Sequence, residues 1–322
     1  MLLQLRLYLL VGLMLAILYG IIAGVGFLLG VRGSYYYIFL IGLAFLIILI
    51  QFIIGPKTVE WSMKIQYVTK KQYPKLFAMV EELSTQAELP NIPRIGISKL
   101  QIPNAFAFGR SKKGARVCVT EGLLNLLDDK ELKAVLGHEI SHINHRDVVV
   151  ITMLSVVPMI CYMLYITFFW GSMFRRNRDS GAMLAIGLLA LVVYFISSLL
   201  VMYGSRIREY YADRGSVELG NKPHHLATAL YKLSLSSARI PKKTLKQAEG
   251  MKAFFLNDPS RAMQEVRELK DVDIDMSGTI DQNELMMLQT KTIKLSGSDK
   301  IMEAMSTHPN MVKRVKHLAS LQ

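Results

Sequence analysis

The sequence predicts a mainly helical α+β fold with a small β-sheet, interrupted and anchored by four transmembrane helices. Three observations lead to this prediction. The chain carries a formal charge of +13, yet 52% of its residues are hydrophobic. Four stretches contain no charged residue, and each is about as long as the ~20 residues that cross a bilayer. Short runs of strand-forming residues and segments of helical periodicity occupy the rest of the chain.

The four uncharged stretches are the predicted membrane anchors. One Lys or Arg at the centre of a spanning helix costs ~3 kcal/mol on insertion scales, so four charge-free stretches are not expected by chance. The first is too long for the apolar part of a signal peptide and lacks a small-residue cleavage site, which predicts an uncleaved anchor. For the third and fourth, the alternative is a buried helical hairpin within a soluble domain. The stretches are residues 7–31, 35–55, 148–174 and 182–205.

These anchors divide the chain into two membrane hairpins and a soluble domain in two parts. The predicted hairpins are residues 1–56 and 148–205, and the predicted soluble parts are residues 57–147 and 206–322. Residues 74–87 have helical spacing, and Asp128 with Glu131 three residues later predicts a capping-box helix start. Residues 111–114 are a predicted hairpin turn. The predicted strands are residues 94–98, 105–108 and 116–120.

Lys and Arg residues near the membrane ends predict the orientation of the chain. The first short loop has only Arg32, whereas basic residues cluster after the second and fourth stretches. This distribution predicts a multi-pass protein of the plasma membrane, with the N-terminus and both soluble parts in the cytoplasm. Arg175, Arg176 and Arg178 would lie outside, which indicates that the second hairpin either does not fully cross or is held among other helices. The basic clusters are Lys57, Lys64, Lys70, Lys71, Lys75, Arg206, Arg208 and Arg214.

An HExxH run, residues 138–142, stands directly before the third uncharged stretch. On a helix, His138 and His142 share one face and can both bind a single Zn²⁺. Glu139 between them can deprotonate the water that such a metal activates. The run therefore predicts the metal-binding helix of a metallopeptidase.

A third ligand is expected because catalytic zinc sites have three protein ligands and one open position. Glu209 and Asp213 follow the fourth uncharged stretch and share one helical face. Glu209 would complete a His/His/Glu site, and Asp213 would accept the free imidazole N–H of a ligating histidine. The alternative is that both carboxylates pair with nearby arginines on a solvated face.

The chain resembles the HtpX family of membrane-bound zinc metallopeptidases. The resemblance lies in HExxH followed by Glu-Tyr-Tyr-Ala-Asp at 209–213, a gluzincin-like HExxH…ExxxD pattern. Further similar motifs follow in family order over most of the chain. They are Asn104-Ala105-Phe106-Ala107, residues 119–124, residues 142–147 and Thr307-His308-Pro309 with Arg314.

The resemblance implies a role for each matching residue. His138, His142 and Glu209 would bind one Zn²⁺ per chain, and Glu139 would act as general base and then as proton donor to the leaving amine. His308 would stabilise the tetrahedral oxyanion, with Arg314 orienting it or the substrate. Asn104, Ala105, Phe106 and Ala107 would form the exposed edge to which a substrate peptide adds as a strand. Alternatively, His308 ends a helix before Pro309, and Asn104 is an ordinary turn residue.

The predicted zinc ligands stand within a few residues of the third and fourth uncharged stretches. A metal held there would lie near the bilayer surface, where a protease reaches membrane proteins. The expected partners are therefore the lipid bilayer and polypeptide substrates, in particular membrane, misfolded or unfolded proteins. The predicted function is endopeptidase cleavage in protein quality control.

Residues 273–284 fit the twelve-residue EF-hand calcium loop at every expected position. The alternative is an acidic helix–turn–helix without metal. EF-hands usually pair and one such loop is found here, so weak affinity and competition by Mg²⁺ are expected. We predict that Ca²⁺ orders the segment presenting His308. Asp273, Asp275 and Ser277 occupy positions 1, 3 and 5, the carbonyl of Thr279 position 7, and Asp281 and Glu284 positions 9 and 12.

Three other functions compete with the zinc endopeptidase. A catalytically silent zinc- or calcium-binding membrane scaffold would typically lack the general base or a ligand, and all are present here. A CAAX prenyl protease shares the motif pair but has more spans than this chain. Nucleic-acid binding is not expected, because the positive charge is dispersed and no binding motif is found. Cys118 and Cys161 do not form a disulfide framework.

Overall fold

The computed structural model describes residues 9–10, 12–14, 16–17, 20, 34–174, 180–240, 262–270, 272–290 and 297–321. The chain divides into two compact units. One contains Met1–Ile54 and Val150–Ile207, and the other contains Gly55–Val149 and Arg208–Gln322. Each limit differs by two residues from the predicted boundaries at 56, 147 and 205.

The first unit contains the long apolar helices. Helix α1 is Ser34–Ser62, and its last residues belong to the second unit. Helices α5 (Asp147–Leu154) and α6 (Val156–Phe174) carry the third uncharged stretch, and α7 (Ser180–Glu218) carries the fourth. Cys161 in α6 is buried and, like Cys118, unpaired.

Two described helical segments are long and apolar enough to cross a membrane. They are Asp147–Met173, which comprises α5 and nearly all of α6, and Gly181–Glu218 of α7. Only 28% and 22% of their most apolar windows are buried by the described chain, so they do not resemble a core hairpin of a soluble domain. The first predicted anchor lies mostly outside the described residues, as do Arg175, Arg176 and Arg178. The second predicted anchor forms α1, but most of its apolar side chains also lie outside the described residues. A count of four spans thus remains a prediction.

The second unit contains a four-stranded mixed sheet of order β1-β2-β4-β3. Its strands are β1 (Ile65–Tyr67), β2 (Arg94–Ser98), β3 (Ala105–Phe108) and β4 (Arg116–Thr120). β2 and β4 are parallel, and the other two pairings are antiparallel. The predicted hairpin turn is a 3₁₀ turn, Lys112–Gly114. The side chain of Ser111, which caps its N-terminus, accepts a hydrogen bond from the backbone N–H of Gly114. The mainly helical fold with a small sheet is therefore confirmed.

In the second unit, helices pack against the sheet and against one another around a large apolar core, and a smaller cluster that includes Met63, Phe106 and Cys118 lies apart from it. Helix α4 carries the HExxH run and contributes the fully buried Leu136 and Ile140 to this core. It begins with the predicted capping box between Asp128 and Glu131. The helices are α2 (Pro74–Gln86), α3 (Glu121–Leu126), α4 (Asp129–Asn144), α8 (Pro223–Ala238), α9 (Ala262–Lys270), α10 (Gln282–Thr290), α11 (Gly297–Ala304) and α12 (Met311–Ala319).

Two glycines allow α4 and the C-terminal part of α7 to approach closely. A Cβ atom on Gly215 of α7 would lie 2.0 Å from Oγ of Ser141, and one on Gly137 of α4 would lie 2.9 Å from Oγ of Ser216. The Ser216 hydroxyl donates to the carbonyl of Ala134 at 2.6 Å, which needs this close approach. The contact fixes the register in which α7 presents its side chains to those of α4.

Replacing Gly215 by Ala should therefore destabilise the unit by about 1–3 kcal/mol, because the added methyl group overlaps Ser141. Thermal unfolding of the detergent-purified chain measures the change. Gly181→Ala in the same helix is the matched control, since its Cβ meets no atom within 4 Å. Adding Ser141→Gly should restore most of the lost stability. Equal melting temperatures for both alanine variants would contradict the close helix contact.

Candidate metal centre

His138 and His142 point their ring nitrogens toward one another from successive turns of α4. Their Nε2 atoms are 3.1 Å apart. Glu209 of α7 completes the group, with Oε2 at 3.6 Å from Nε2 of His138 and Oε1 at 3.7 Å from Nε2 of His142. His138 is completely buried and Glu209 is 6% exposed. The structure therefore brings together all three predicted ligands.

A buried carboxylate stands behind each imidazole. Nδ1 of His138 is 2.9 Å from Oδ1 of Asp213, and Nδ1 of His142 is 2.6 Å from Oδ2 of Asp147. A carboxylate accepts a hydrogen bond from Nδ1–H, which favours for each ring the tautomer whose Nε2 lone pair faces Glu209. This carboxylate–histidine arrangement is typical of metal ligands.

The spacing of the three donors fits a small tetrahedral cation. Metal–donor bonds of zinc length imply donor–donor distances of about 3.3–3.5 Å in a tetrahedron. The Nε2 lone pairs of His138 and His142 face each other beside the carboxylate of Glu209, and they would repel one another without a cation or a proton between them. Burial lowers the pKa of His138, but Asp213 and Glu209 outweigh it and raise this pKa to about 9. Without a metal, a proton would thus occupy this place at neutral pH.

Arg314 of α12 neutralises two of these carboxylates from behind the centre. Its Nε donates to Oδ2 of Asp213 at 2.9 Å, and its Nη1 lies 3.0 Å from Oε2 of Glu209. Arg314 is completely buried. Burial lowers its pKa, yet the two carboxylates together raise that pKa above its ordinary value, so the guanidinium is charged. Buried carboxylates need such a partner.

Glu139 and His308 lie beside the donor group, since the charge of Glu139 acts on His142 and His308 is close to Glu209. Glu139 follows His138 directly on α4 and is 4% exposed. Nδ1 of His308 lies 3.4 Å from Oε1 of Glu209. Among the described residues, neither ring nitrogen of His308 has a hydrogen-bond partner. Both predicted catalytic side chains therefore lie at the centre, and His308 has donors to offer.

A match to a known protein family shows which kind of protein carries this centre. Residues 70–322 match the model of peptidase family M48. The chain belongs to this family. The matched segment covers all of the metal-centre residues described above, and strands β2, β3 and β4 of the sheet.

Several curated M48 relatives are similar over most of their length. The "Protease HtpX homolog" of Methanothermobacter thermautotrophicus is 50% identical over 233 residues, which is 72% of this chain and 86% of the relative. The homologue of Moorella thermoacetica is 36% identical over 85% of this chain and 80% of its own. That of Pyrococcus furiosus is 34% identical over 78% and 86%. The predicted HtpX resemblance is confirmed.

A solved structure shares the fold. The crystal structure of Ste24p from S. mikatae has a TM-score of 0.52 at 16% sequence identity. The likeness covers 97% of this chain and 63% of Ste24p. The M48 chain thus spans less than two thirds of that protein, and at this identity the comparison shows the fold alone.

These findings establish a membrane-bound metalloprotease of the HtpX type. The metal dependence follows from the M48 family and from the His138, His142 and Glu209 group.

Asp147 is a residue of the M48 centre to which the sequence motifs assigned no role. Besides His142, it pairs with Arg208, which also donates to the carbonyl of His145 at 2.8 Å. Arg208, counted above among the basic residues that predict the orientation, is 6% exposed and pairs with Asp147. An acidic residue immediately before an apolar stretch was the available signal for Asp147.

Asp147→Asn should weaken metal affinity by about 10–100-fold, because an amide cannot hold the Nδ1–H tautomer of His142 as a carboxylate does. Competition with a chromophoric chelator measures this affinity. Asp129→Asn, on the surface of the same region and paired with Lys75, is the matched control. Unchanged affinity in Asp147→Asn would show that Asp147 only anchors Arg208.

The predicted substrate strand lies at an edge of the sheet in the M48 chain. β3 has β4 on one side and is the last strand of the described sheet. Asn104 precedes it and is completely buried. The backbone N–H of Asn104 donates to Oγ1 of Thr120 at 2.8 Å. An apolar cleft beside β3 also reaches the metal centre. Its lining includes Ala107, Phe108, Ile143, Val149 and His142.

The predicted calcium-loop residues lie in the same unit of the M48 chain, between α9 and α10. Asp273, Asp275 and Glu284 offer oxygen atoms within 4.8 Å of one another. Ser277, Thr279 and Asp281 lie in the loop between them. The structure thus clusters three of the six predicted ligands.

Proposed function

We propose that the chain is a zinc endopeptidase that cleaves membrane or misfolded proteins at the cytoplasmic face of the membrane, as part of protein quality control. The observation that carries this proposal is the convergence of two imidazoles and Glu209 beside Glu139. Two nitrogen donors and one carboxylate, with the donor spacing described above, are a typical catalytic zinc set.

Zinc bound by His138, His142 and Glu209 would polarise the scissile carbonyl and lower the pKa of water in its open position. Glu139 is proposed to accept the proton of that water; support comes from its position next to His138 on α4 and from its charge interaction with His142. The same carboxyl group then donates the proton to the leaving amine. Its burial excludes bulk water from the transfer.

His308 is proposed to donate a hydrogen bond to the oxyanion that forms on the substrate. Support comes from its place beside Glu209 and from ring nitrogens that bond to no described residue. A donor aimed at developing charge contributes about 2.7–4 kcal/mol in other hydrolases. Arg314 is proposed to act at a distance from the substrate, by fixing Glu209 and Asp213.

Substrate is proposed to bind as an added strand along β3. An edge strand recognises a partner mainly through main-chain groups, which favours extended or unfolded chains over a narrow sequence. The apolar cleft that joins β3 to His142 would take an apolar side chain next to the scissile bond. Asn104, buried at the start of the strand, is proposed to fix its position.

A cytoplasmic active site is proposed from the charge distribution. Most of the basic residues that follow the second and fourth apolar stretches remain available to set orientation, although Arg208 is buried. Four membrane spans and location in the plasma membrane are proposed on the same basis. Of the two rival functions, a silent scaffold would cleave no substrate, and a prenyl-protein processing enzyme would cleave prenylated substrates.

The test is cleavage of an unfolded protein, such as casein, by the detergent-purified chain. Removing metal with a chelator should abolish cleavage, and one equivalent of Zn²⁺ per chain should restore it. His142→Ala, which removes a ligand, should neither bind stoichiometric zinc nor cleave. Zinc-loaded chain that binds one equivalent yet leaves casein and membrane-protein substrates intact would point to the scaffold. Cleavage restricted to prenylated peptides would point to the processing enzyme.

A further inference from the structure

The acidic loop at 273–284 has no part in the peptidase mechanism, yet two of its carboxylates are nearly buried. Asp273 is 5% exposed and Glu284 is 7% exposed, and Asp275 lies at the surface beside them. In the described part of the chain, no Lys, Arg or His forms an ion pair with any of these three residues. Carboxylates that share a site without a cation repel one another.

One oxygen of this cluster has no partner. Oδ1 of Asp273 is buried and accepts no hydrogen bond from the described residues, whereas Oδ2 accepts the amide of Gly278 at 3.0 Å. A buried oxygen without a partner carries a large desolvation penalty and indicates a missing ion or water. Nearby, burial, a side-chain hydrogen bond with Asp273 and the negative charges of Asp273 and Glu284 raise the pKa of Tyr231 to about 12. The loop thus retains uncompensated negative charge.

The loop backbone is already closed around the cluster. Gly278, at the sixth position, has φ +78°, the conformation that the sharp turn requires. Glu284, at the twelfth position, folds back so that Oε1 accepts the amide of Ile274 at 2.7 Å and Oε2 that of Asp281 at 3.0 Å. The carboxylate at the twelfth position, which in a calcium loop supplies two oxygens, therefore already lies close to the carboxylates at the first and third positions.

We propose that this loop binds one Ca²⁺ and that the ion stabilises the helices that support the metal centre. Hard cations of this size take six to eight oxygen ligands. The donors would be the side chains of Asp273, Asp275 and Ser277, the carbonyl of Thr279, both oxygens of Glu284 and a water held by Asp281.

The loop is tied directly to α8. The hydroxyl of Thr228 donates to the carbonyl of Ile280 at 2.9 Å and accepts its amide at 3.0 Å. The Ile280 side chain is completely buried in the core. On the same helix, Lys232 bonds to Glu131, the capping-box residue of α4, at 2.7 Å. Closing the loop thus bears on the helix that carries the HExxH run.

The flanking helices connect the loop to α12. Glu268 of α9 accepts from the side chain of Asn310, the residue that caps α12. Leu285 and Leu288 of α10 are buried in the core with Val315 and Leu318 of α12. Because α12 carries Arg314, an ion that fixes α9 and α10 also fixes the guanidinium behind Glu209 and Asp213.

The experiment is a calcium titration of the full-length, zinc-loaded chain in detergent, followed by calorimetry and by thermal unfolding. We expect one Ca²⁺ per chain, with Kd between about 10⁻⁵ and 10⁻³ M for a single loop, and a melting temperature that rises over the same concentrations. Asp275→Asn should weaken binding at least about tenfold. Because Asp275 is exposed, this variant should fold normally, which Glu284→Gln need not do.

Glu218→Gln, in an exposed pair with Arg214, is the matched control and should respond like the wild type. Absence of heat and of any melting shift at millimolar Ca²⁺ would overturn the proposal. An equal shift in Asp275→Asn and the wild type would also overturn it. None of these readouts depends on peptidase activity, so they separate this proposal from the proposed function.

Discussion

Glu139→Gln should lower kcat/KM for an unfolded protein substrate by about 10²–10⁴-fold, because an amide can neither accept nor return the proton. The substitution keeps the shape of the side chain, which is almost fully buried next to a ligand. Zinc content and melting temperature should therefore match those of the wild type. Initial cleavage rates, normalised to bound zinc, are the measurement.

Glu82→Gln controls for the loss of a carboxylate near α4. Glu82 pairs with Lys133 of that helix on the surface, and its loss should leave the rate within about twofold, since exposed pairs contribute little. Full activity in Glu139→Gln would refute the assigned base. Lost activity together with lost zinc would mean that Glu139 supports the metal centre instead.

Arg314→Met should destabilise the metal-free chain by about 3–5 kcal/mol, since it leaves Asp213 and Glu209 buried without a counter-charge. For a domain of this size the melting temperature should fall by roughly 6–20 °C. Bound zinc supplies positive charge beside Glu209, so part of the loss should return when the metal is added. Thermal unfolding with and without zinc measures both effects.

Lys313→Met provides the comparison for Arg314→Met. Lys313 is the preceding residue on the same helix. Its side chain is 40% exposed, although its partner Glu303 is buried, so the loss should stay well below that of Arg314→Met. A stable Arg314→Met variant with a raised KM would instead favour the alternative role, in which Arg314 orients the substrate.

Local sequence signals predicted the elements around the centre well. Strands β2, β3 and β4 have the predicted bounds, because prolines and glycines separate their β-branched and aromatic runs. The capping box of α4 forms as expected from Asp128 and Glu131. Strand β1 was not predicted, since three residues next to a helix end give no periodicity. It exists because it pairs with β2.

The metal centre was predictable only in part, for a physical reason. His138 and His142 are four residues apart, so helical geometry alone pairs them, and the ExxxD spacing points to Glu209 and Asp213. The partner of Asp213 is 101 residues away, and nothing in the local pattern pairs Arg314 with it. That contact depends on where α12 packs, whereas Gly137 and Gly215 set only the approach of α4 and α7, and packing is a property of the folded chain.

The metal centre draws on three segments, near 138–142, 209–213 and 308–314, and this separation sets the order in which activity can appear during synthesis. A nascent chain that has reached residue 300 already carries Glu139 and every metal donor. It lacks His308 and Arg314, so Glu209 and Asp213 would have no guanidinium between them. Competence for cleavage would then wait until the segment at 308–314 has folded onto the centre. Metal binding and cleavage would in this way become separate steps in the life of the chain.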